Sequence, residues 1–368
     1  MAWVVAVVLA LSLALACPAR AELRPLDDGR ARIGVRSWAD LGAPARREAR
    51  LLMRQGVLLL LASSELEDDG LEPATQVRVE QALARFDRAL AALPDDVELA
   101  FFRGVALGRF VREEASGHAE RRTDDAIAEL LRARSLDASY EPSAVAWHLA
   151  LLHTRAGRPR EAAEEYERVR ALLRLPAVPI SRPSPREEAL HAIFAVPDPA
   201  LVDLNLAEVV MLAGDPARAV GLYDGAATRA ERGTLLLALA LFGRALAEER
   251  AGRHDVALAS ALAATTAWTP SADDLVVREI VSRHGPTAAL HVPGVSFEPR
   301  WEIHAYEALV HEARGMAMRE GRLPGGAEAA EASIERARRS LRAFFAVGGE
   351  RSFFREVAER AATRLGAR

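Results

Sequence analysis

The sequence contains no lysine, so all 48 of its basic residues are arginine. A G-x-x-x-x-G-K phosphate loop, a Schiff-base lysine and a kinase-type lysine are therefore excluded. Cys17 is the single cysteine, which rules out internal disulfides, CxxC redox pairs and cysteine zinc sites. Neither H-E-x-x-H nor G-x-S-x-G occurs, so two common metal and nucleophile signatures are missing as well. Charge of neither sign is in large excess. The formal net charge of −4 provides no strongly basic face, and no nucleic-acid partner is expected.

What is present favours helix. Ala, Leu, Arg and Glu dominate, aromatics make up 5% and β-branched residues are few. With 368 residues and 50% hydrophobic content the chain can bury a large core, as one or two compact domains or as an elongated array. The most informative stretch runs from Ser143 to Pro176. Val145, Leu149, Leu152 and Ala156 form one helical face, with Trp147 and Leu151 beside it. A helix apolar over so much of its circumference must lie between neighbours. Ala156-Gly157 ends it, since glycine accepts the left-handed terminus. A second helix follows with Ala162, Tyr166, Val169 and Leu173 inward, and Pro176 stops it.

Leu149-Ala150, Gly157, Ala162-x3-Tyr166, Val169 and Pro176 resemble the tetratricopeptide repeat, a helix–turn–helix unit of 34 residues. Ala146 stands where the family has Trp, with Trp147 one place later, and His153 replaces the family's Tyr. The pattern recurs. Ala82-x3-Phe86-x2-Ala89 and Ala126-x3-Leu130-x2-Ala133 read as second helices. So do Ala219-x3-Tyr223-x2-Ala226 and Ala257-x3-Ala261-x2-Ala264. The resemblance implies an all-α, right-handed tetratricopeptide-like α-solenoid of about five to six helix pairs. The amphipathic stretch Ser352–Leu365 suits the capping helix that such arrays need.

In chain order, residues 1–21 read as an export signal. Met1–Ala16 is apolar and uncharged, and Ala19-Arg20-Ala21 is a small-x-small cleavage pattern. Ala14-Leu15-Ala16-Cys17 also resembles a lipobox, which would leave Cys17 lipidated. Either version places the mature chain outside the cytoplasm, in the periplasm or cell envelope, with any membrane attachment through that lipid alone. Residues 22–45 read as an arm, and 46–176 as helical repeats. Prolines between Pro176 and Pro199 make 177–199 a break in the array. Repeats resume over 200–270, an irregular connection fills 271–297, and 298–368 forms a last helix pair and cap.

Three candidate sites follow. In tetratricopeptide repeats the first helices line a concave face, and by register the resemblance places Phe101, Arg109, Trp147, Leu151 and Arg155 there. Leu204, Glu208, Phe242, Glu249, Arg250 and Tyr306 continue the row. Exposed Trp147 and Phe242 beside arginines would suit an extended or helical peptide. The same two rings could instead pack against the adjoining repeat. His304, Glu307 and His311 share a helix face, but residues seven apart are separated by about 10 Å of rise, so no metal or other cofactor is expected there. An enzyme reading would place its site in 271–297 with His284 and His291, or in the proline-rich insert. The preferred expectation is a non-enzymatic exported scaffold for a protein or peptide, probed at the first-helix surface.

Overall fold

The computed structural model describes residues 44–64, 73–113, 119–173, 193, 198–271, 274–293, 295, 300–347 and 352–367. The expected export signal, Cys17 and nearly all of the proline-rich insert lie outside the described residues. Among those described, the helices are α1 (Pro44–Ser64), α2 (Pro73–Leu90), α3 (Val97–Arg109), α4 (Thr123–Leu136), α5 (Pro142–Arg155), α6 (Pro159–Leu173) and α7 (Pro199–Leu212). They continue as α8 (Pro216–Arg229), α9 (Leu235–Arg250), α10 (His254–Ala267), α11 (Leu275–His284), α12 (Ile303–Arg319), α13 (Gly326–Ala346) and α14 (Arg355–Leu365). The fold is all-α apart from one detail. The charged insert after α3 forms a small antiparallel hairpin, β1 (Val111–Glu113) with β2 (Ala119–Arg121).

Local chemistry sets many of the helix ends. Asp96, Asp198, Asp215 and Asp274 each accept a backbone N–H at the start of a helix, and Thr234 does the same for α9. Pro199 and Pro216 follow two of these caps at the first turn, where a missing N–H costs nothing. Gly157, Gly214 and Gly252 end first helices at φ of 77°, 100° and 76°. A side chain would be strained at each, which explains the repeated Ala-Gly turn.

The chain divides into two compact units. One contains α1 to α5, each helix packed on the next, with α1 also touching α3 and α3 touching α5. The other contains α7 to α14. There α8 packs between α7 and α9, α10 packs on α9 and α12, and α7, α9 and α12 touch in succession as first helices. Helix α6 is divided between the units at Tyr166 and Glu167.

A common register runs through six stretches. Gly56, Gly104, Ala150, Ala207, Ala245 and Gly315 occupy one position of the first helices. Ala82, Ala126, Ala162, Ala219, Ala257 and Ala330 hold the corresponding position of the second helices, all fully buried. Four residues on come Phe86, Leu130, Tyr166, Tyr223, Ala261 and Ile334, none more than 1% exposed. The small residues permit the close approach. A Cβ at Gly56 would sit 2.5 Å from Phe86, at Gly104 2.8 Å from Leu130, and at Gly315 2.6 Å from Ile334.

Candidate functional site

In the α1–α5 unit the expected groove residues turn out to hold the first helices together. Phe101 is fully buried, with edge-on contacts to Phe102, Tyr140 and His148 at ring separations of 5.4, 5.7 and 5.8 Å. Trp147 is only 8% exposed rather than displayed, while Leu151 is half-buried. Arg109 Nη1 donates to the Leu60 carbonyl at 3.5 Å, and Arg155 Nη1 to the Gly108 carbonyl at 2.9 Å. These are equivalent contacts. Each arginine lies five residues past its small register residue and reaches the carbonyl four past the previous one. The C-terminal turns of helices attract cations, so the arginines join α1 to α3 and α3 to α5, the Leu60 carbonyl also accepting Ser63 Oγ at 2.6 Å. His148 lies beside them and donates Nε2–H to the Ile193 carbonyl at 2.8 Å. Burial pushes its pKa down to about 4, the backbone bond opposing and the two arginines adding to the shift.

In the α7–α14 unit, four expected groove residues converge. Leu204, Glu208, Phe242 and Tyr306 line one recess together with Asn205, Tyr223, Leu239, Gly243 and Leu290. Phe242, expected to be displayed, is 2% exposed. The space between them, about 20 Å³ at the centre of a water-sized sphere, admits one water and no larger ligand. Glu208 accepts the Tyr223 hydroxyl at 2.7 Å. Desolvation pushes its carboxyl up to about 7, against the tyrosine hydrogen bonds and the charge of Arg250. Glu302, fully buried in the 3-10 turn Arg300–Glu302, accepts Ser352 Oγ at 2.7 Å, and burial likewise drives its pKa well above the ordinary value. Burial thus raises both carboxyls, and the charge of Arg250 opposes the shift at each.

Glu249 serves a different purpose from its groove neighbours. It is 1% exposed and accepts Arg364 Nη1 at 2.9 Å and His254 Nδ1 at 2.7 Å. Its own carbonyl accepts Arg360 Nη2 at 2.7 Å. Arg364 also forks onto Glu312 at 3.0 and 3.1 Å. Glu249 therefore helps dock α14, and Arg250, next to it, faces the Glu208 group.

The stripe on α12 is reorganised by a loop that sequence reasoning left irregular. Glu307 accepts His304 Nδ1 at 2.9 Å, His291 Nε2 at 3.1 Å and Ser340 Oγ at 3.4 Å. Desolvation pushes its carboxyl up, but the hydrogen bonds and charges of His291 and His304 together outweigh it and bring the pKa down to about 2. His311 is buried, and desolvation lowers it to about 4. His284 and His291 stack at 3.5 Å with 19° between their planes. These two meet across the 3-10 turn Gly285–His291, a placement that no spacing rule anticipates.

No family model matches the sequence. No curated protein matches it either. Among solved structures, the chain is similar to the MamA protein at 16% identity, covering 58% of this chain and 88% of that one, with a TM-score of 0.37. It is also similar to the P58(IPK) TPR domain at 15% identity, covering 84% and 98%, with a TM-score of 0.22. The register settles the class from the chain's own residues. The fold is tetratricopeptide-repeat-like.

Proposed function

We propose that this chain is a non-enzymatic scaffold, exported to the cell envelope, that holds a protein or peptide partner on its first-helix surface and serves envelope assembly. The observation that carries the reading is the repeated register, which packs first helix against first helix and so builds a continuous, preformed surface in each unit. Export rests on the apolar Met1–Ala16 run and the Ala19-Arg20-Ala21 pattern. Burial of Phe101, Trp147, Phe242 and Tyr306 moves the contact away from displayed rings. It shifts to the half-buried side chains between them, Leu151 among the apolar ones.

The test is co-purification from native envelopes with wild type, Leu151→Glu and Val256→Glu. Val256 is 42% exposed on a second helix and serves as the off-surface control. Partner recovery lost in Leu151→Glu and kept in Val256→Glu, with both helical by circular dichroism, supports the reading. Equal recovery from the two variants overturns the first-helix surface. Fatty-acid labelling that disappears in Cys17→Ala would show lipid anchoring in place of a free mature chain.

A further inference from the structure

Helix α11 ends at His284, where Gly285 adopts φ 54° and ψ −116°, and Pro286 follows into the 3-10 turn. The turn is anchored by Thr287, Ala288, Ala289 and Leu290, all buried. Its two ends therefore come together, and His284 lies face to face with His291. Glu307 meets them from α12. One ligand atom from each of His284, His291 and Glu307 lies within 4.8 Å of the other two, and all three residues are half-buried. Although the His284 carbonyl accepts Thr287 Oγ1 at 3.1 Å, among the described residues its imidazole makes no hydrogen bond within the protein, so a ring nitrogen remains open to a ligand.

We propose that His284, His291 and Glu307 form a site for one divalent transition metal ion of the zinc type. Two imidazole nitrogens and one carboxylate oxygen are the donor set such borderline ions prefer, whereas Mg²⁺ and Ca²⁺ select oxygen donors. The second carboxylate oxygen is held by His304 Nδ1 at 2.9 Å and Ser340 Oγ at 3.4 Å. That arrangement resembles the outer hydrogen bonds that orient a metal-binding carboxylate. Binding requires three changes. The His291–Glu307 hydrogen bond gives way to metal bonds, the His291 proton moves from Nε2 to Nδ1 by exchange with solvent so that the neutral ring frees its Nε2 lone pair, and one ring tilts off the stack, because parallel rings cannot both aim in-plane lone pairs at one ion. Half-burial leaves room for water in the remaining position. The ion would tie the 3-10 turn to α12 in place of that single hydrogen bond.

The experiment is calorimetric titration of the untagged, chelator-treated full chain with ZnCl₂, paralleled by the visible spectrum with Co²⁺. Wild type is expected to take up one equivalent of Zn²⁺ and to give an intense Co²⁺ d–d band, with no uptake of Mg²⁺ or Ca²⁺. His284→Ala and Glu307→Gln should each abolish stoichiometric uptake while the far-ultraviolet circular dichroism is unchanged. His304→Ala, which removes only an orienting contact, should weaken uptake by about 10- to 100-fold and keep the Co²⁺ band. No stoichiometric Zn²⁺ uptake by wild type overturns the proposal, as does full uptake by His284→Ala. If His284→Ala perturbs the fold, His284→Gln is read in its place by the same criteria.

Discussion

At the scale of single residues, two glycines on neighbouring helices have opposite meanings. Gly243 in α9 lies against Tyr223, and a Cβ there would sit 2.3 Å from the ring. The ring cannot retreat, since Tyr223 is 1% exposed and its hydroxyl is bonded to Glu208. Gly221 in α8 has open space where a Cβ would be. Gly243→Ala should therefore cost about 1–3 kcal/mol through overpacking, more than the gain in helix propensity. Gly221→Ala should stabilise by roughly 0.5–1 kcal/mol. Urea denaturation of the two variants checks this, and equal signs would refute the packing argument.

At the scale of elements, the attachment of α14 depends on one arginine more than on apolar area. Arg364 binds Glu249 of α9 and Glu312 of α12, carboxylates only 1% and 3% exposed. Removing the guanidinium leaves both charges buried with His254 as their remaining shared neighbour. Arg364→Ala should cost about 3 kcal/mol and expose the C-terminal helix to protease before the rest of its unit. Arg364→Lys should restore only part of this, because an ammonium cannot fork onto a carboxylate. Protease resistance unchanged in Arg364→Ala would show that apolar packing of Val357, Ala358 and Ala361, with the bonds from Arg360 to the Glu249 carbonyl and from Arg338 to the Leu365 carbonyl, suffices to hold the helix. This docking was only half legible in the sequence. The amphipathic pattern of Ser352–Leu365 marked a cap, but nothing in the spacing showed that Glu249, 115 residues before Arg364, was its anchor rather than a groove residue.

At the scale of the whole molecule, periodicity revealed the helices and the register of Ala with a buried apolar residue four places on revealed their pairing, because close helix contact restricts the Ala positions to small residues. The site residues were less legible. A register places Trp147 and Phe242 on the first-helix side, yet whether that side is open or covered depends on how the neighbouring helix and the connecting loops lie. The fold over Glu208 also required side chains from α7, α8, α9 and α12 at once, a convergence with no local signal.

The buried ionisable groups give the last prediction, one for each unit. Near Glu208 the folded state keeps a proton up to about pH 7, whereas the ordinary carboxyl releases it near 4.5. Below 4.5 both states are protonated, and the group exacts no penalty. Between 4.5 and 7 the unfolded chain binds fewer protons, so stability falls as pH rises, by about 3 kcal/mol in all. Glu302, raised in the same direction, adds to this fall. His148 behaves in the opposite sense. Its folded pKa of about 4 lies below the ordinary 6.5, so its contribution is intact above 6.5 and is lost as pH falls towards 4. Because His311 in the α7–α14 unit titrates with the His148 sign, each effect is best read as a difference from a neutral variant. Glu208→Gln should gain on wild type between pH 5 and 8 in the hydrogen-exchange protection of α7 amides. His148→Gln should gain on wild type between pH 7 and 4.5 in the protection of α5 amides. Differences that run the same way with pH in both helices would mean that these two groups are not the ones titrating.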